Sequence, residues 1–400
     1  MAMLLLAVSL LCAAIWIVLI GFHGRFWQGG PILAPARPSA GMAGQGEWPA
    51  VCIVVPARDE AESVQACVAS LIGQDYPGAL HLILVDDNST DGTGALARAV
   101  PDPLARLTVI TGRERPPGWS GKLWAVSQGV AEARRQVPED VGYVFLTDAD
   151  ITHDPAHVAT LVAKAEGDGL DMVSEMVELN VASVAEHMLV PAFVFFFALL
   201  YPFARVNDPR SRVAGAAGGS ILIRRTALTR IGGIESLRGA LIDDCTLAAH
   251  VKRSGGGLYL GHSRLARSIR PYPHPADVWR MVARTAYVQL RYSPLVLLGT
   301  VLGMVLVWIA PMLLALFGHG APRLLGVAAW VASMACFVPT LRRFRLSPGW
   351  AMLLPLVAVF YTAATLGSAI DHHRGRGVVW KSRAYLEPTG AGGPVPDDRT

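Results

Sequence analysis

The sequence predicts an α/β fold: a mostly parallel sheet covered by helices, mounted between apolar helices long enough to cross a membrane. Three observations carry this. Residues 1–22 contain no Asp, Glu, Lys or Arg, and residues 292–370 contain only Arg323, Arg342, Arg343 and Arg345. Outside those two stretches charged residues make up roughly 21%, near the ~25% of soluble domains. Within that body short β-rich runs alternate with helical apolar spacing, as in a sheet built from βα units. The 52% hydrophobic and 16% charged composition is therefore a globular body with membrane-like ends. Intrinsic disorder, a collagen-like fibre and a plain cytosolic enzyme are excluded.

Taken in order, Met1–Phe22 is apolar throughout, about the ~20 residues a spanning helix needs. It lacks a positive n-region, so an uncleaved anchor is expected rather than a signal peptide. Arg25 and Arg37 follow it and mark that end as cytoplasmic. Residues 23–47 form a linker, rich in Pro, Gly and Ala from residue 31 onward. A body over 48–292 follows. Val51–Val55 reads as a strand ending at Pro56, Glu60–Ile72 as a helix and His81–Val85 as a strand entering Asp86-Asp87-Asn88-Ser89-Thr90-Asp91-Gly92. Leu107–Ile110 is a third strand, Gly121–Gln136 a helix, and Tyr143–Thr147 a strand ending in Asp148-Ala149-Asp150. Met188–Phe203, with Pro191 and Pro202, is short for a span and reads as a buried or interfacial helix. Its phenylalanines, with the helix Trp279–Tyr292, offer an entry for an apolar acceptor. Asp243-Asp244 precede a helix, Cys245–Lys252.

Residues 293–370 hold three further candidate spans, about 294–318, 324–341 and 348–370, before a polar tail, 371–400. Arg342, Arg343 and Arg345 mark the second exit as cytoplasmic. Three crossings put the tail outside, yet Arg374, Arg376, Lys381 and Arg383 argue for inside. Either one segment does not cross fully or the charge rule fails. The net charge of +4 is too small to indicate nucleic acid. The five cysteines form no C-x-x-C pair, so no disulfide framework or zinc site follows, and a reducing cytoplasmic setting fits the body.

Ligands of such sheets bind beyond the carboxyl ends of the strands, where both acidic clusters fall. Asp86 and Asp87 suit a turn and helix cap, or a carboxylate that accepts from a base or ribose. Asp148 and Asp150 suit a solvated loop with His153 and Asp154, or a pair holding Mg2+ or Mn2+ against a diphosphate. Asp243 and Asp244 suit helix capping, or a general base toward a sugar or lipid hydroxyl. Lys122, in Gly118-Trp119-Ser120-Gly121-Lys122, stands at a helix start that suits phosphate, or is a surface lysine. Arg280, Arg284 and Arg291 suit a positive-inside belt, or Arg284 with Arg280 reaches a diphosphate.

The order of these motifs resembles the family 2 inverting glycosyltransferases. Val54-Val55-Pro56-Ala57-Arg58-Asp59-Glu60, Val85-Asp86-Asp87-Asn88-Ser89-Thr90-Asp91-Gly92-Thr93, Asp148-Ala149-Asp150 and Asp243-Asp244 carry the resemblance, over about residues 48–292. It implies the GT-A fold, a Rossmann-like catalytic domain. It also implies that Pro56, Glu60 and Asp87 line a nucleotide pocket, that Asp148 contacts nucleotide or sugar, that Asp150 binds the metal, and that Asp244 is the base. The acidic pair reads Asp-Asp where Glu-Asp is common. The Gln-x-x-Arg-Trp of processive members is replaced by Arg280-Met-Val-Ala-Arg284-Thr, which argues against a polysaccharide polymerase. The anchor–body–spans order is similar to the ceramide glucosyltransferase-like group. Trp119–Ala125, Arg280–Ser293 and Trp380–Tyr385 are similar to bacterial hopanoid-associated members. The implied partners are a nucleotide-diphospho-sugar donor, a lipid acceptor and the bacterial cytoplasmic membrane, with the body facing the cytoplasm and no nucleic acid. The alternative is a non-catalytic membrane scaffold that binds a nucleotide sugar. A transporter is disfavoured, because the three C-terminal spans contain no Asp, Glu, Lys, Arg or His.

Overall fold

Val51–Ala57 (β1), Leu80–Asp86 (β2), Leu107–Thr111 (β3) and Tyr143–Leu146 (β4) form the parallel half of one sheet. Ile151–His153 (β5), Met172–Glu178 (β6), Ile221–Arg224 (β7) and Leu258–Ser268 (β8) complete it, in the order β3-β2-β1-β4-β7-β6-β8-β5. This computed structural model describes residues 2–36, 48–136, 142–374, 379–380 and 383–384. Residues 37–47 of the expected linker and most of the tail lie outside the described residues.

The expected mostly parallel sheet is thus parallel in one half and mixed in the other: β4–β7, β6–β7 and β5–β8 are antiparallel, and β6–β8 is parallel. The mixed strands escape the sequence pattern because β6 buries Ser174 and Glu175 and β8 buries His262 and Ser263. β1 is buried along its whole length, as a central strand covered on both faces must be. It continues through Pro56 to Ala57, opposite Val85 and Asp86, instead of ending at Pro56. Pro56 lies past its pairing with β4, which stops at Val54, where a missing N–H is tolerated.

The first body helix starts at Val64, not Glu60. The N–H groups of Glu60 and Ala61 are taken by Thr93 Oγ1 (2.8 Å) and Asp91 Oδ2 (2.9 Å), which holds that stretch as a turn. Helix Gly121–Gln136 lies close on the sheet. A Cβ at Gly129 would come 2.4 Å from Val54 Cγ1, so the contact requires glycine.

Among the described residues five helices are long and apolar enough to cross a membrane: Ala2–Phe22, Val184–Val206, Pro294–Phe317, Gly320–Arg343 and Pro348–His373. The second is not an open entry. Phe195 is 1% exposed and packs on Phe26, Trp308 and Phe337, and Phe196 packs on Trp308 and Tyr361. Its other face, through Val194 and Phe197, meets Met176 and Ala217 of the body. It is shared core, in line with the reading of a buried helix, and Phe195 does not line an open entry.

The last helix begins and ends beside the body. Trp350 at its start packs on His187, only a few residues after Arg343 bonds the Gly29 and Gly30 carbonyls at the anchor's exit. At its end Ser368 Oγ accepts from the Tyr287 N–H (3.1 Å), and His372 stacks on Tyr292, just before the first C-terminal span. Both ends therefore lie on one side. Those contacts bear on the conflict between three crossings and a basic tail, because they bring the start and the end of the final helix to residues that flank the body. The expected single helix Trp279–Tyr292 is broken into Pro275–Ala283 and Ala286–Gln289, where the Tyr287 N–H turns to Ser368 rather than to a helix carbonyl.

Candidate active site

The chemistry gathers at the carboxyl ends of β1 and β4, in a solvent-open cleft. Pro56, Lys122, Thr147, Asp148, Gly218, Asp243 and Asp244 line it, with an apolar wall that includes Leu123, Val126, Ile234 and Leu247. The wall follows from helix Gly121–Gln136, whose apolar residues face the sheet while its first turn delivers Lys122 to the opening.

Asp244 stands in the first turn of helix Asp243–Arg253. Its Oδ2 accepts from the Gly218 N–H (2.9 Å) and its Oδ1 from its neighbour Cys245 N–H (2.7 Å). Burial and the adjacent Asp243 charge push its carboxyl up to about 6, while those N–H groups and Lys122 pull the other way. A Cβ on Gly218 would come 3.3 Å from Asp244 Oδ2 and 3.5 Å from Lys122 Nζ, so a bare backbone lets both groups approach.

Lys122 Nζ lies 2.7 Å from Asp148 Oδ1. Burial disfavours its charge, but Asp148, Asp243 and Asp244 outweigh that and hold the ammonium more firmly protonated than usual. Asp150 points elsewhere. Its Oδ2 accepts from Arg270 Nε at 2.5 Å, and Arg270 Nη2 reaches Glu60 Oε1 (2.7 Å) and Oε2 (3.0 Å). Burial first and the Asp148 charge second push the Asp150 carboxyl up, against Arg270. Asp148 and Asp150, one residue apart at the end of β4, offer carboxylate oxygens of the kind a hard divalent cation takes, its coordination completed by phosphate and water. The donor chemistry fits, although no group of three or more His, Cys, Asp or Glu forms a ready metal cage among the described residues.

The remaining expected residues lie apart. Asp87 is fully buried, its carboxylate 3.6 Å from Arg58 Nη1. Asp86 accepts from the Ser89 N–H (3.0 Å), the turn role. Arg280 is 77% exposed and pairs with Asp277, so it does not join the cleft. Arg284 is exposed at the end of the same helix, and its charge acts on Tyr272, the ring that also feels Arg270 and Asp150.

Beneath the acid turn lies a chain the sequence reading missed. Thr147 Oγ1 donates to the Gly219 carbonyl (2.8 Å) and lies 3.2 Å from His153 Nε2. His153 Nδ1 lies 2.9 Å from His157 Nδ1, and His157 Nε2 lies 3.1 Å from Glu175 Oε2, all buried. His153 is thus not in a solvated loop. Burial and His157 hold its imidazole well below the ordinary histidine range. Gly219 adjoins Gly218, so this chain ties the acid turn to the loop that holds Asp244. Of these residues only the i, i+4 pair His153/His157 left a trace in the sequence. Arg270 left none.

A family model described as glycosyl transferase family 2 matches residues 52–232. One described as glycosyl transferase family group 2 matches residues 143–363, more than half of the chain. The β-monoglucosyldiacylglycerol synthase of Synechocystis sp. is 30% identical over 168 residues, 36% of this chain and 33% of that protein. Succinoglycan biosynthesis protein ExoU of Rhizobium meliloti is 27% identical over 196 residues, 48% of this chain and 50% of that protein. The chain therefore spans about a third to a half of the length of these curated relatives. Among solved structures, the mannosyltransferase PcManGT from Pyrobaculum calidifontis, in complex with GDP-Man and Mn2+, superposes with a TM-score of 0.53. It is 18% identical, and the match covers 92% of this chain and 99% of that one.

Proposed function

The chain belongs to glycosyl transferase family group 2 and carries the GT-A fold, and from that premise we propose that it moves a sugar from a nucleotide-diphospho-sugar to a lipid hydroxyl, with inversion. The observation that carries this reading is Asp244: a carboxylate with raised proton affinity, aimed by two backbone N–H groups into the cleft that also holds Lys122 and Asp148.

In the proposed reaction Asp244 takes the proton of the acceptor hydroxyl as that oxygen bonds to the anomeric carbon. The bond from that carbon to the donor's diphosphate oxygen breaks on the opposite face, and a nucleoside diphosphate leaves. Lys122 offers an ammonium to the departing phosphates. Asp148 and Asp150 would hold Mg2+ or Mn2+, which when bound neutralises the leaving diphosphate as a Lewis acid. The Mn2+ in the PcManGT complex supports this choice of cofactor.

Membrane-length helices on both sides of the body favour a lipid acceptor, and the name of the Synechocystis relative supports a glycerolipid. A hydroxylated hopanoid is the other acceptor, favoured by the sequence resemblance. The body is proposed to face the cytoplasm at a bacterial inner membrane, in keeping with Arg342 and Arg343 at the body-side end of their helix. The test is purified full-length protein in lipid nanodiscs with Mn2+, given UDP-glucose or GDP-mannose and either diacylglycerol or a hydroxylated hopanoid. Glycolipid formation with one acceptor is expected and identifies it. Neither transfer nor donor hydrolysis across a panel of nucleotide sugars would overturn the enzyme reading in favour of a scaffold.

A further inference from the structure

The acid pair does not stand uncompensated. Lys122 sits on Asp148, and Arg270 spans Asp150 and Glu60 with one guanidinium fork. A planar guanidinium fork can bridge two carboxylates with a donor directed at each. Around Arg270 itself, two carboxylates against one cation leave one negative charge. A divalent cation entering alone reverses that sign. A nucleoside diphosphate entering alone adds negative charge to a site already negative. Entering together, they leave the balance near where it began.

The backbone under Arg270 is pinned on both sides. The Ile269 N–H donates to the Asp150 carbonyl (2.9 Å), and the Tyr272 N–H donates to Glu186 Oε1 (2.6 Å). Its side chain is one-third exposed (33%), whereas Glu60 and Asp150 are each 14% exposed. The guanidinium is therefore the member of the trio free to swing while its anchors stay.

We propose that Arg270 is a stand-in cation: it neutralises Asp150 and Glu60 while the donor is absent, makes divalent-cation binding conditional on a nucleoside diphosphate, and gives up Asp150 when the two arrive together. This rests on the acid pair being the cation site, as read above.

The test is Mn2+ binding to full-length protein in detergent, read as free Mn2+ by electron paramagnetic resonance, with and without UDP or GDP. In wild type the nucleotide should tighten Mn2+ at least ~10-fold, the scale expected for one unit charge a few ångströms away in a partly exposed site. Arg270→Gln should bind Mn2+ alone about tenfold more tightly than wild type, with a smaller nucleotide effect. Arg270→Lys, which keeps the charge, should stay near wild type without nucleotide. If folded Arg270→Gln binds Mn2+ alone no better than wild type, while wild type keeps its nucleotide dependence, Arg270 loses this role and the acid pair keeps its own. Wild type alone decides the matter if the neutral variant does not fold: Mn2+ affinity equal with and without nucleotide overturns the proposal. No Mn2+ binding by either protein under any condition overturns the cation site and the proposal with it.

Discussion

At the residue scale, the proton affinity of Asp244 makes the strongest prediction. As the proposed base Asp244 must be ionised, and its carboxyl is pushed up to about 6, so it protonates as pH falls through that value. Turnover per unit substrate should be flat above about pH 6 and fall about tenfold per unit below it, with cation and donor saturating. Asp244→Asn should lose ~10²–10⁴-fold in transfer, keep donor binding, and lose that acid limb. Near-normal turnover, or an unchanged acid limb, removes Asp244 from the mechanism. A second prediction concerns His157. Its partner Glu175 is 1% exposed, and His157→Ala would leave that carboxylate buried without its imidazole. A loss of about 3 kcal/mol of unfolding free energy is expected, as for a broken buried pair, and is measurable by urea titration in detergent. Asp244 was legible because Asp243-Asp244 stand at a helix start. The His–His–Glu chain was not, because β6 and β8, which bury it, carry no alternating apolar pattern.

At the scale of elements, the final helix carries a topology prediction. Its first turns rest on His187 and its last on Tyr287 and Tyr292, so both ends belong to the side of the catalytic body. A reporter fused after residue 374 should therefore report the same compartment as one fused within the body. A fusion at Gly318-His319, between the first two C-terminal spans, should report the opposite one. Opposite signals from the body and C-terminal fusions would mean that the helix crosses. The helix over Val184–Leu200 yields another expectation. Phe195 is sealed between Phe26, Trp308 and Phe337, so Phe195→Asp should abolish the folded yield rather than act selectively on a lipid acceptor. Folded protein with impaired lipid transfer alone would restore the gateway reading. The sequence showed both segments as apolar. Their roles were hidden because apolarity is common to helices that face lipid and helices that face one another.

At the scale of the molecule, body and membrane helices share one packed core. Leu189, Ala192 and Phe195 of one body helix and Val278 and Val282 of another are buried with Trp16, Trp308, Phe337 and Val357. A fragment of residues 48–292 alone would expose those surfaces to water as a large apolar patch. It should aggregate or elute in the void volume on size exclusion, whereas full-length protein in detergent should give a single species. A monodisperse, folded fragment would show that the body is an independent domain. The same sharing sets the acid site on a loop whose Tyr272 N–H is held by Glu186, a residue of the helix against the membrane bundle.

The sequence by itself determined the membrane ends, the alternation of strand and helix over β1–β4, and the acidic turns that close β2 and β4. These are local signals: runs of apolar residues, their spacing, and turn chemistry at strand ends. Tertiary structure alone decided which charges meet. Glu60 and Arg270 are 210 residues apart, joined because β5 pairs antiparallel to β8 with Ile151 opposite Ser268. That register delivers Arg270 to Asp150, while Arg280, ten residues on, is left on the surface with Asp277. Strand order and register are products of the whole sheet's packing, and no local stretch of sequence encodes them.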